Sequence, residues 1–173
     1  LDEVTNEGYW QPVDSEEEDD SQWIPTSLIT KNLLAFRANN ILIIADSCYA
    51  AAVFRGQESR SKNYVNQSTS TKEDYALLNR LVSVKTRLAL TSGGLAPVPD
   101  RIGLSENSVF ARSFIELLQA NMTPLTSETL FRDIRQKVVP ITSQAGFEQT
   151  PEFSPLHLSG HEGGDFVFVR HQQ

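Results

Sequence analysis

The sequence predicts an α/β fold in which a mainly parallel sheet is flanked by helices. The run 41–45 is apolar on both faces, as a buried parallel strand is, and 86–91 is predicted to form a second buried strand. Segments with helical periodicity lie between and around these runs, and such alternation is typical of a layered α/β domain. A chain of 173 residues with 39% apolar content can form one ordinary core, so we predict a single domain over residues 1–173.

The elements of the first half are a short strand, a helix and the first buried strand. We predict a strand at 9–13, followed by an acidic loop. Ile29, Leu33 and Phe36 share one face at helical spacing, which predicts a helix over 27–38. This helix leads into the first buried strand.

The second half begins with a long loop and continues with further helices and strands. Residues 55–70 have no hydrophobic periodicity and are predicted to form that loop. Ser70 and Glu73 have the spacing of a capping box, which predicts the start of a helix. The remaining predicted elements are the buried strand 86–91, helices over 107–120 and 126–139, and strands over 151–158 and 165–170.

Charge and composition exclude several classes of partner. A net charge of -7 argues against direct binding of nucleic acid or of an anionic membrane surface. No apolar run approaches the roughly 20 residues that a membrane span needs, and a single cysteine cannot form an internal disulfide. We therefore expect a cytoplasmic protein. Because the chain starts at Leu1 without a Met, we also expect that a segment upstream of it is missing.

The single cysteine, Cys48, lies two residues past the end of the first buried strand. In open α/β sheets, ligands and catalytic groups collect at the carboxyl ends of the strands. A buried structural cysteine is the ordinary alternative. However, the strand has already ended, and the polar residues Asp46 and Ser47 are unusual for a core position. Position alone leaves both interpretations open, a nucleophile or a structural thiol.

The segment "ILIIADSCYA" resembles the catalytic-cysteine segment of caspase-like cysteine peptidases of the metacaspase and bacterial caspase-homologue type. Their pattern is an apolar strand, Asp-Ser-Cys, an aromatic residue or His, a small residue and Gly; this chain has Ala51 in place of that Gly. Further segments match in the family's order: "GYWQPVD", "RLALTSGG", "SVFARSFIELL" and "GHEGGDFVFVR". The resemblance covers nearly the whole chain, and it implies a caspase-like sandwich with peptidase activity.

A caspase-type mechanism needs a histidine beside the thiol, to take the thiol proton and to protonate the leaving amine. In the family, this histidine lies roughly 50 residues before the cysteine, which is upstream of Leu1 here. His157, His161 and His171 lie near the C-terminal strands, and His161 in its Gly-rich turn is better explained by a structural role. We therefore expect the catalytic histidine on a missing segment or on another chain.

The resemblance also implies substrate-binding and processing residues. In metacaspases, the Asp two residues before the Cys lines the S1 pocket and selects Arg or Lys at P1, a role that falls on Asp46; capping of a neighbouring loop is its structural alternative. Ser92, at the end of the second buried strand, is the other substrate-binding candidate. The loop 55–70 corresponds to the inter-subunit loop where self-cleavage separates two subunits, with the candidate sites Arg55, Arg60 and Lys62.

The expected cofactor is none, with Ca²⁺ as a minority option. Metacaspases are often calcium-dependent, and the run 14–20 holds six carboxylates, but it has no EF-hand spacing and adjacent carboxylates usually remain solvated. The expected partners are a protein substrate, the segment or chain with the histidine, and a regulatory domain or protein. The alternative function is a non-catalytic caspase-like scaffold; a nucleotide-binding domain is disfavoured because Ser92-Gly93-Gly94 lacks a phosphate-loop pattern.

Overall fold

The computed structural model describes residues 7–16, 19–47, 71–93 and 107–170. Within these ranges the protein is an α/β structure, as predicted, but its sheets are mixed instead of mainly parallel: one strand pairing there is parallel and three are antiparallel. The elements in chain order are β1 (Tyr9–Trp10), a 3₁₀ turn (Asp20–Gln22), β2 (Ile24–Pro25), α1 (Thr26–Ala35), β3 (Asn40–Ala45), α2 (Thr71–Ser83), β4 (Thr86–Thr91), α3 (Val109–Ala120), β5 (Leu125–Thr126), α4 (Ser127–Gln144), β6 (Glu152–Pro155) and β7 (Val167–Phe168).

A three-stranded sheet in the order β3-β4-β6 forms the centre of the molecule. Strands β3 and β4 are parallel and paired over their full length, from Asn40 opposite Thr86 to Ala45 opposite Thr91. Strand β6 is antiparallel to β4. Two short antiparallel pairs, β1-β2 and β5-β7, lie outside this sheet. The two predicted strands are therefore hydrogen-bonded neighbours that run in the same direction. Strand β4 is fully buried, as predicted, whereas β3 is only partly buried and exposes Ile44.

Helices cover both faces of the sheet. On one face, α3 and α4 pack against β4 through a cluster that contains Leu90, Phe110 and Ile134. On the other face, Leu33 of α1 packs against Ala89. The two clusters take alternate residues of β3, since Leu42 contacts the first and its neighbours Ile41 and Ile43 contact the second. This alternation explains why β3 is apolar throughout.

Several boundaries differ from those predicted. Helix α4 continues to Gln144 instead of ending at residue 139, although Pro140 lies inside it and has no N–H for the carbonyl four residues earlier. The buried residues Val138 and Thr142 on either side of this proline hold the helix against the core. The first strand ends at Trp10 because it pairs with only two residues of β2. The last strand is shortened to two residues and pairs with β5 rather than with the central sheet.

A buried arginine closes the amino end of the sheet. The Arg87 guanidinium is fully buried and donates hydrogen bonds to five backbone carbonyls. These are Leu33 (3.4 Å), Phe36 (3.3 Å), Ala38 (2.8 Å), Asn39 (2.9 Å) and Thr86 (2.7 Å). Burial lowers the pKa of Arg87, but arginine stays charged in proteins. Because its donors bind the carbonyls of the α1–β3 connection, α1 ends at Ala35 instead of at residue 38.

The closing turn of the chain packs against the same end of β4. The backbone N–H of Arg87 donates to His161 Nδ1 at 3.1 Å. A Cβ on Gly164 would lie 2.3 Å from the carbonyl oxygen of Val84, so only glycine fits there. The buried carboxylate of Asp165 accepts hydrogen bonds from the Ser127 hydroxyl and, at 2.7 Å, from the Phe166 N–H. The turn thus ties α2, β4 and α4 together.

No helix in the described part of the chain is long and apolar enough to cross a membrane.

Candidate functional site

The candidate site lies at the carboxyl ends of β3 and β4. Because these strands are parallel and in register, the residues that follow them meet at one edge of the sheet. The Ser92 N–H donates to the Ala45 carbonyl at 3.0 Å and extends the pairing by one residue. The Ser92 hydroxyl lies 3.5 Å from the Ser47 carbonyl. The structure therefore brings the predicted residues Asp46 and Ser92 to neighbouring positions, and Asp46 lies two residues before Cys48 in the chain.

Asp46 is exposed and is held at the start of α3. Its Oδ2 accepts a hydrogen bond of 2.5 Å from the Ser108 hydroxyl. Ser108 is the N-cap of α3, and its Oγ also accepts a hydrogen bond from the Ala111 N–H at 2.9 Å. Sequence reasoning did not assign Ser108, although a Ser directly before an apolar helix is an N-cap signal. The bond orients the carboxylate through one oxygen, and a carboxylate has further acceptor positions for a guanidinium.

Ser92 is fully buried, and its side chain faces the backbone of Ser47. Its carbonyl oxygen accepts a hydrogen bond of 3.0 Å from Nε2 of Gln149. Through these contacts, Ser92 holds the end of β4 against the residue that precedes Cys48. Its direct contact with a substrate stays a prediction.

Gln149 is a residue of the site that sequence reasoning missed. It lies on the α4–β6 connection and is 2% exposed. Nε2 of its side-chain amide donates to the Ser92 carbonyl. The amide oxygen, Oε1, is buried and has no hydrogen-bond partner among the described residues. Leaving a buried polar group unpaired costs about 1–3 kcal/mol, and native structures contain few such groups. A polar glutamine in a loop carries no sequence signal for this arrangement.

Two described histidines lie away from this edge. His161 binds the Arg87 N–H at the amino end of β4, in agreement with a structural role. The Leu156 N–H donates to the carbonyl of Arg87, the second residue of β4. The next residue in the chain, the exposed His157, therefore also lies near the amino end of β4. Strand β4 has six residues and is about 17 Å long, at about 3.3 Å per residue. This length separates the amino end of β4 from Asp46. The described histidines are therefore not placed beside the segment that leads to Cys48.

Other predicted residues fall outside the described ranges. They are the nucleophile Cys48, the cleavage candidates Arg55, Arg60 and Lys62, and His171, together with the capping residue Ser70. The acidic run is partly described: the Asp19 carboxylate accepts a hydrogen bond from the Ser21 N–H at 2.9 Å, which holds the pKa of Asp19 below its usual value. Among the described residues, no group of three His, Cys, Asp or Glu side chains is placed to hold a metal ion.

Comparisons of the chain with protein-family models, with curated proteins and with solved structures gave no match. The functional argument therefore depends on the residues and on their geometry.

Proposed function

We propose that the protein is a caspase-like cysteine endopeptidase that cleaves proteins after Arg or Lys. The observation that carries the proposal is the exposed Asp46 carboxylate beside Ser92, at the carboxyl edge of a parallel strand pair and two residues before Cys48. This edge is where α/β proteins place their catalytic groups. A flanking carboxylate is the group that a basic substrate side chain requires.

Cys48 is the nucleophile in this proposal. A histidine takes the thiol proton, and the thiolate attacks the carbonyl carbon of the scissile peptide bond. The histidine then returns the proton to the leaving amine as the C–N bond breaks, which leaves a thioester on Cys48. Water hydrolyses the thioester, releases the new carboxyl terminus and regenerates the thiol.

In this proposal, the histidine is supplied by another segment or by another chain. Strand β3 has one neighbour, β4, in the described residues, and its other edge has no strand paired with it there. Ile44 on β3 is 40% exposed, which is unusual for a residue of a buried parallel strand. A further parallel strand on this edge would end beside Asp46 and would place a histidine near Cys48. The open edge supports this part of the proposal.

Asp46 selects the P1 residue in this proposal. Its exposed carboxylate offers a guanidinium a charge-assisted contact, worth about 1.5–3 kcal/mol, which a neutral P1 side chain cannot make. Lysine fits with a single contact and is the poorer substrate. The same preference makes Arg55, Arg60 and Lys62 candidate sites of self-cleavage.

The test is labelling of the full-length protein with an arginyl peptide that carries a thiol-reactive warhead, followed by mass spectrometry. We expect one adduct, on Cys48, and a fragment cut within residues 55–70. The matched variant is Cys48→Ala, which loses the adduct, the cut and all peptidase activity, while a thiol-to-methyl change costs about 1 kcal/mol or less in stability. A folded wild-type protein with neither adduct nor turnover, with and without Ca²⁺, would instead support the non-catalytic scaffold.

A further inference from the structure

The unpaired oxygen of Gln149 lies within the framework that holds the candidate site. Nε2 of this side chain is bound to the Ser92 carbonyl at 3.0 Å, and the Ser92 hydroxyl contacts the Ser47 carbonyl. Oε1 is attached to the same carbon as Nε2, so it too lies beside the end of β4. An acceptor without a partner is thus kept at the edge of the sheet where Asp46 also lies.

Buried acceptors are normally paired, so an unpaired one needs a structural explanation, and at the carboxyl ends of parallel strands, where ligands bind, a bound ligand provides one. An amide oxygen accepts from N–H or O–H donors, and an extended peptide brings one N–H per residue. The connection that carries Gln149 is exposed over residues 145–148, so a small displacement of it disturbs little of the core. Oε1 is buried in the unbound protein, so a peptide bound along the ends of β3 and β4 reaches it when this connection moves aside.

We propose that Gln149 is a substrate-positioning residue, whose Nε2 fixes Ser92 and whose Oε1 accepts a backbone N–H of the bound peptide. This inference rests on the proposed function, since it names a further contact in the same site. It concerns the binding of the peptide and not the reactivity of Cys48.

The test compares Gln149→Met with a control at the opposite end of the sheet. Asn40 has the same chemistry: its Nδ2 donates to the Val82 carbonyl at 2.8 Å, and its Oδ1 is buried and unpaired. Steady-state kinetics with an arginyl peptide should give a KM raised about three- to tenfold in Gln149→Met, with kcat within twofold of wild type. Asn40→Leu should leave KM unchanged. Alkylation of Cys48 by iodoacetamide, which occupies no peptide subsite, should proceed at the same rate in all three proteins.

The outcomes separate this inference from the proposed function. An active wild type with unchanged KM in Gln149→Met, or with equal effects of Gln149→Met and Asn40→Leu, overturns the inference alone. A slowed alkylation in Gln149→Met overturns it as well, because the residue then acts on Cys48. A wild type without peptide turnover overturns the proposed function, and the inference with it.

A second variant keeps the inference testable if Gln149→Met does not fold. Gln149→Glu retains the size of the side chain. When its carboxyl group is protonated, the O–H can donate to the Ser92 carbonyl and the other oxygen can accept the peptide N–H. Burial raises the pKa of a carboxyl group, so this one becomes protonated as the pH is lowered. The KM of Gln149→Glu divided by the KM of wild type should therefore fall towards one from about pH 7.5 to about pH 5.5. A ratio that does not change with pH would contradict the inference.

Discussion

The two ends of the β3–β4 pair differ in how their charged groups are held. At the amino end, the buried Arg87 guanidinium donates to five carbonyls, and the Arg87 backbone N–H donates to His161 Nδ1. At the carboxyl end, the Asp46 carboxylate is exposed and is bound through one oxygen to Ser108. In the described residues each end also has one buried amide oxygen without a partner, that of Asn40 or of Gln149, so the contrast lies in the charged groups. The difference indicates that the charge at the amino end stabilises the fold, whereas the charge at the carboxyl end is accessible from solvent.

The same residue types serve different purposes at the two ends. His161 lies in a tight turn and accepts a backbone N–H, so its ring is part of the fold. Asp165 at that end is buried and hydrogen-bonded, whereas Asp46 at the other end is exposed and bound through one oxygen to Ser108. Burial raises the pKa of Asp165, although its hydrogen bonds oppose this shift. A charged residue in the sequence is therefore not by itself a sign of a functional site.

The largest expected effect is the loss of stability in Arg87→Met. The substitution keeps much of the side-chain volume but leaves several buried carbonyls without donors, so the free energy of unfolding should fall by about 3–5 kcal/mol. Urea unfolding followed by circular dichroism measures this change. The control is Arg135→Met on the exposed face of α4, which should stay within about 0.5 kcal/mol of wild type. Equal effects of both variants would show that the amino end is not the stabilising end.

The next effect is on specificity. Asp46→Asn keeps the size and an acceptor for Ser108 but removes the charge, so kcat/KM for arginyl peptides should fall about ten- to a hundredfold. Peptides with a neutral P1 residue should be affected much less. The measurement is a peptide panel with varied P1 residues, with Ser108→Ala as the control that keeps the Asp46 charge. An unchanged preference for Arg in Asp46→Asn would leave Asp46 with the loop-capping role alone.

A smaller effect concerns pH and the amino end. Burial lowers the pKa of His161 and the charge of Arg87 lowers it further, while Asp165 opposes both. The folded protein therefore takes up this proton less readily than the unfolded chain. The contribution of His161 to the free energy of unfolding is fully present above about pH 6.5 and is lost as the pH falls below that value. Because the ring is half-buried and solvent screens it, we expect a loss below about 1 kcal/mol.

Urea unfolding of wild type and His161→Gln at several pH values from about 7.5 to 5 tests this expectation. The difference between the two proteins should shrink as the pH falls. This difference separates the effect of His161 from that of Asp165, whose raised pKa changes the stability in the opposite direction as the pH falls. The exposed His157→Gln variant should follow wild type at every pH. A pH dependence that is retained in His161→Gln would assign the effect to another group.

The smallest expected effect is that of Asn39→Ala. Asn39 and Asn40 both donate side-chain N–H groups to the Val82 carbonyl, at 2.9 and 2.8 Å. Loss of the exposed donor leaves the other in place, so the change should stay below about 0.5 kcal/mol. The double Ala variant leaves the carbonyl without either donor and should cost more than the two single variants added together. Additive values would show that the two bonds are independent.

The sequence predicted the central elements well, because their patterns are local. Strand β4 was predicted with its exact bounds, and β3 with a difference of one residue. The sequence also predicted that Asp46 and Ser92 each follow the end of a core strand, and the structure shows that these two strands are parallel neighbours. The helix boundaries were less accurate, since the end of α1 depends on Arg87 from a distant strand and the end of α4 on the buried face around Pro140.

Sequence alone therefore determined the α/β class, the two parallel core strands and the position of Asp46 two residues before Cys48, since periodicity and order along the chain specify these features. Tertiary structure decided which distant residues complete each end of the sheet. Arg87 and His161 are 74 positions apart, and Gln149 is 57 positions from Ser92. Such contacts follow from how strands and loops pack in space, and a single polar side chain in a loop gives no local sign of the backbone group that it will bind.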